Sequence, residues 1–150
     1  MSASSILAYE FLRHAKEFLD AAARLKEGKP FLCHPTFYCV LHSIELSLKT
    51  HLAHAGFARA KLASKAYGHN LAELLKAADA SGTLGRSSLN AFDRRAIVFG
   101  AEDYAKKCFE YPEFMVSTYS IGKWLCIARK LTGSAESVIS SQTSSRVARP

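Results

Sequence analysis

The chain lacks most of the features that announce an enzyme class or a membrane protein. In its 150 residues no apolar run approaches the roughly 18 needed to cross a bilayer. The start, MSASSILAYEF, has no basic segment ahead of an apolar one, so no secretory signal is expected and the cytoplasm is the expected location. There is no GxSxG, no phosphate-binding glycine loop and no HExxH, which removes three common catalytic signatures. No alternating apolar pattern runs beyond a few residues, so strands are not expected, and no internal repeat is present. Cysteine is scarce: Cys33, Cys39, Cys108 and Cys126 all sit in apolar stretches and are expected to be reduced small hydrophobes rather than a disulfide framework. Lys and Arg form no long block.

What the chain does have suits one globular domain. Hydrophobic residues make up 49% and charged residues 22%, ordinary values for a single core. The net charge is +7, spread along the sequence, which permits contact with RNA, DNA or nucleotides through phosphate but does not require it.

Helical spacing dominates. The first helix is predicted from about Ser4 to Lys26, with Leu7, Phe11, Phe18, Ala22 and Leu25 inward, Ser4 or Ser5 as cap and Gly28 as stop. A connection broken by Pro30 and Pro35 leads to a second helix, which ends at Gly56. Here Phe37, Leu41, Ile44, Leu48 and Leu52 form a core stripe, and Tyr38, His42, Glu45 and Lys49 form a narrow polar one. That pattern suits the central helix of a bundle. Residues 57–68 read as a connection with some helical tendency. A short third helix starts at His69 or Asn70 and closes at Gly82, burying Leu71, Leu74, Leu75 and Ala78. A fourth runs from Ser87 or Ser88 to Phe109, with Leu89, Phe92, Ala96, Phe99 and Tyr104 inward and Gly100 marking a bend or a close approach. Pro112 breaks the pattern. A last helix, about Ser117 to Leu131, turns Ile121, Trp124, Leu125 and Ala128 inward and ends at Gly133. The fold expected is all-α, an antiparallel up-and-down bundle of four to five helices over residues 1–133. The serine-rich remainder, 134–150, is expected to be disordered.

Three constellations stand out. Glu45 and Lys49, four residues apart on a helix, can form an ion pair. It is either a partly exposed pair of little energetic weight or part of a polar stripe that fixes a helix–helix or subunit contact. Gly68, His69 and Asn70 read as turn and cap; alternatively His69 faces the polar stripe and serves as an acid, a base or a phosphate contact. Arg94, Arg95, Lys106 and Lys107 form basic steps on the fourth helix, a solvated face or a set of nucleic-acid contacts. Lys123, Arg129 and Lys130 read the same way. His51 and His54, Cys33-His34 and Cys39-x-x-His42 match no recognised zinc spacing, so neither a metal nor a cofactor is expected.

The runs PTFYCVLHSIELSLKTHLAHAG, YGHNLAELLKAADASG and FEYPEF together resemble the HEPN-like family of small bacterial helical proteins, in particular members with an HSIELxLK helix and a GHNLxxLL helix start. The resemblance spans about residues 5 to 132. It implies a bundle of four or five helices, frequently a homodimer. It also implies kinship with RNA-cutting enzymes and nucleic-acid or nucleotide-binding modules, some of them in toxin–antitoxin or defence systems beside a nucleotidyltransferase partner. The nuclease members carry an arginine and, after a short spacer, a histidine on a late helix. This chain has no histidine after His69, and Arg24–His34 and Arg59–His69 each have nine residues between. What carries over is the fold and the polar set His42, Glu45, Lys49, His69 and Asn70, without a catalytic role. The expected function is a non-catalytic binding or assembly module, with nucleic acid or nucleotide as ligand. The alternative is a ribonuclease or other RNA-acting enzyme with a non-standard site around His69.

Overall fold

The computed structural model describes residues 2–28, 33–85, 87, 89–108 and 119–147, excepting the side chains of residues 33 and 142–147. Six helices follow in order: α1 (Ala3–Gly28), α2 (Cys33–His54), α3 (Arg59–Leu62), α4 (Leu71–Ala80), α5 (Ala91–Ala105) and α6 (Ile121–Val147). No strand occurs among the described residues. The break at Pro112, the FEYPEF run, the Phe109 and Ser117 helix ends and the connection at 29–32 lie outside them.

Local chemistry explains most helix starts. Ser2, not Ser4 or Ser5, accepts the Ser5 N–H (3.2 Å) at the head of α1. Asn70 caps α4 by accepting the Glu73 N–H at 3.2 Å. α5 starts later than the serines suggest. Asn90 and Asp93 form a reciprocal capping box there, satisfying two backbone donors at once. Ser120 accepts the Lys123 N–H at the start of α6.

Cross-helix contacts give the directions. Phe18 meets Tyr38 and His42, Ser43 bonds the Ala15 carbonyl, and Glu10 pairs with Arg59, so α1 and α2 run antiparallel. Lys16 reaches Glu136, and Ser47 meets Thr132, so α6 packs on both. Asp79 pairs with Arg94 while the two segments' other ends meet at His69 and Tyr104, so α4 and α5 are antiparallel. The chain between α2 and α4 doubles back through α3 and a series of turns. α4 therefore enters beside Glu45 on α2.

α2 lies innermost. Its core stripe is buried throughout, and of its polar stripe Glu45 and Lys49 are buried while Tyr38 and His42 are half-buried; from residue 40 to residue 53 only His42 escapes full burial. A helix buried all round is a core helix.

Two expectations on α5 and α6 need correction. Phe92 and Phe99 are exposed, and the inward face is Asp93, Ala96, Ile97, Gly100, Ala101 and Tyr104. Gly100 sets this register. A Cβ there would sit 2.7 Å from the Trp124 indole, so α5 can approach α6 only with glycine at that point. Phe92 and Phe99 instead stand edge-on to Tyr119 at 5.5 and 6.1 Å. α6, for its part, does not stop at Gly133. It continues to Val147 through the residues expected to be disordered, and the burial of Ala135 and the packing of Ile139 against the core sustain it. A mid-helix glycine costs only about 1 kcal/mol, which such contacts offset. No helix among the described residues is long and apolar enough to cross a membrane.

Candidate functional site

The polar stripe of α2 builds the most unusual place in the molecule. His42, Glu45 and Lys49 follow one another at three- and four-residue steps, so one helix face presents all three. Glu45 is 1% exposed. Its Oε1 accepts from Lys49 Nζ at 2.5 Å. Its Oε2 accepts from the Tyr104 hydroxyl at 2.5 Å and from His69 Nδ1 at 3.0 Å, and lies 3.4 Å from His42 Nδ1.

The proton positions follow from these partners. A carboxylate only accepts, so His69 donates through Nδ1, and in its neutral form Nε2 is an acceptor. Tyr104 has one proton and gives it to Glu45; its oxygen therefore accepts from His42 Nδ1, at 2.6 Å. His42 is packed on Phe18 (4.5 Å, edge-on) and stacked with Tyr38 (5.5 Å). Burial alone would push the Glu45 carboxyl up. The His42 contact, the Lys49 charge and the Lys49 and Tyr104 hydrogen bonds outweigh it and hold the group well below the usual carboxylate range.

His69 enters from the turn before α4 with φ of +57°. A non-glycine residue in the left-handed region is strained by roughly 1 kcal/mol or more. This conformation places the ring on Glu45 while the side chain stays 48% exposed. The seam is thus closed at α2 and open at His69.

The structure brings His42, Glu45, Lys49 and His69 together. Asn70, next in sequence, serves as the α4 cap instead. The basic set lies elsewhere: Arg94 is paired with Asp79 and Lys106 with Glu102, while Arg95 and Lys107 are exposed. Among the described residues His51 and His54 gather no third ligand, and Cys39 and Cys126 are free thiols.

Two further polar residues, Tyr104 and Asp93, have partners that periodicity alone does not reveal. Tyr104 lies on the apolar stripe of α5, yet a buried tyrosine hydroxyl requires a partner, and that requirement points toward the polar face of α2. Asp93 is buried, caps α5 and receives Lys123 at 2.6 Å and Lys130 at 2.7 Å. Burial would raise its carboxyl, but the hydrogen bonds from the two lysines and from the Asn90 backbone hold it low. Its signal was the Asn90-x-x-Asp93 spacing. Those lysines are not a free basic face.

No family model matches the chain, and no curated protein or solved structure matches it either.

Proposed function

We propose that this chain is a HEPN-like helical module that binds and assembles rather than cuts. The observation that carries the reading is the state of Glu45. A general base must reach the proton it removes, and Glu45 is buried with both oxygens engaged. The seam ties α2, α5 and the turn before α4 into one body, a positioning role. The short-spaced arginine–histidine pair of the family's nucleases is missing. The partner class proposed is nucleic acid or nucleotide, drawn by the net charge of +7, on a homodimeric protein. Light scattering with RNA titration at two salt concentrations tests this. A homodimer with RNA affinity that falls as salt rises is expected, through counterion release. A strict monomer removes the assembly reading, and absent or salt-insensitive binding removes the ligand.

A second reading has one observation in its favour. His69 is half exposed, strained, and oriented by a buried carboxylate, the arrangement that leaves a neutral imidazole with its outer nitrogen free to take a proton. An RNA-acting enzyme built on it cleaves RNA and loses cleavage in His69→Ala. Intact RNA after long incubation with the purified protein removes this reading.

A further inference from the structure

We propose that the open end of the seam is a binding site for one transition-metal cation, zinc-like in its preference, held by His42 Nδ1, Glu45 Oε2 and His69 Nδ1. The three residues come from α2 and from the turn before α4, and one ligand atom of each lies within 4.8 Å of the other two. A tetrahedral ion with bonds of about 2.0–2.1 Å needs its ligands roughly 3.4 Å apart. Here Glu45 Oε2 is 3.0 Å from one nitrogen and 3.4 Å from the other. Binding therefore asks the His69 nitrogen to move out by a few tenths of an ångström and His42 Nδ1 to turn from the Tyr104 hydroxyl onto the ion, side-chain adjustments rather than a refolded backbone. Two imidazoles and one carboxylate are the donors a borderline-soft divalent ion takes, with the fourth position left to water.

Entry is from the His69 side, since Glu45 is closed off and His69 is half exposed. Binding moves one proton on each ring. Each Nδ1–H that now bonds Tyr104 or Glu45 is replaced by the metal, and the neutral imidazole carries its proton on Nε2 instead. No net proton is released and nothing is oxidised. Tyr104 keeps its hydroxyl proton and its bond to Glu45, and so becomes the outer partner that orients the carboxylate. Lys49 stays on Oε1, so its charge opposes the cation and holds affinity below that of a site without it. The inference does not depend on the family placement. Losing the metal leaves the oligomeric state and RNA binding as they are, so the two readings fail separately.

The test is calorimetric titration of the metal-free, full-length protein with zinc chloride, paired with cobalt(II) absorption spectroscopy. One equivalent is expected to bind, and cobalt is expected to give the intense visible bands of a four-coordinate site. His69→Ala should weaken binding by more than about 100-fold, because even outer-shell changes at metal sites cost about 10- to 100-fold. His14→Ala, on an exposed histidine far from the seam in sequence, should change nothing. Tyr104→Phe, which keeps all three ligands, should weaken binding by about tenfold. No stoichiometric binding at micromolar zinc overturns the proposal. So does binding that survives His69→Ala unchanged, or cobalt spectra typical of six-coordinate surface sites.

Discussion

Replacing Glu45 by glutamine keeps its size and removes its charge. Lys49, 7% exposed, then faces a neutral amide where a carboxylate stood. Breaking one side of a buried ion pair costs about 3–5 kcal/mol, because the surviving charge stays buried without compensation. Domains of this kind hold about 5–15 kcal/mol in all, so the loss is a large fraction of the whole. With a urea slope of about 2 kcal/mol/M, the unfolding midpoint falls by about 2 M. Lys49→Met costs less, since the Glu45 carboxylate keeps its hydrogen bonds from Tyr104 and His69. The double variant E45Q/K49M removes both charges and is expected to be more stable than Glu45→Gln alone. Urea unfolding of the four proteins at neutral pH, followed by far-ultraviolet circular dichroism, closes the cycle. The reasoning is refuted if Glu45→Gln costs under about 1 kcal/mol, the level of an exposed pair. It is equally refuted if the two single losses simply add, as they do for residues that do not interact.

Gly100→Ala is expected to destabilise by about 1–2 kcal/mol. The new methyl meets the rigid Trp124 ring at 2.7 Å, and overpacking of that kind outweighs the roughly 1 kcal/mol gained in helix propensity; a stabilised variant in thermal unfolding would contradict the packing. Asp93→Ala removes the α5 capping box but should cost only about 2 kcal/mol, because Lys123 and Lys130 are partly exposed and can turn to water; a larger loss than for Glu45→Gln would reverse that ranking. The buried His51 ring has its pKa lowered to about 4 by burial first and by His54 second, with a hydrogen bond to the Thr83 backbone pulling the other way. The unfolded ring binds its proton near pH 6.5, so the stability tied to the neutral form is complete above that pH. It drains away as pH falls toward 4, by up to about 3 kcal/mol. His51→Gln should flatten that part of the stability profile, and an unchanged slope would discount His51 as its source.

The sequence by itself determined the all-α class and the places of α1, α2 and α4. Periodicity and capping are local: the α2 stripe of Phe37, Leu41, Ile44, Leu48 and Leu52 is buried as its spacing requires, and Asn70 caps α4 from its own side chain. The Glu45–Lys49 contact was legible for the same reason, since a four-residue step on a helix sets the two side chains together whatever surrounds them. The outward face of α5 was not legible. Two phenylalanines outweigh Asp93, Ala96 and Gly100 on any hydrophobicity scale, yet it is Gly100 that makes room for Trp124. The continuation of α6 past Gly133 also depended on a partner, because Ala135 and Ile139 find burial only where other helices wait for them. The character of the seam was settled in three dimensions as well. A carboxylate on a helix face is a solvated charge or a buried anchor according to what is packed over it, and here Tyr104 and His69 arrive from 59 and 24 residues away to close it. Hydrogen bonds within a turn are fixed by the order of residues. Burial is fixed by which distant surfaces the chain can bring together, and only the folded molecule chooses those.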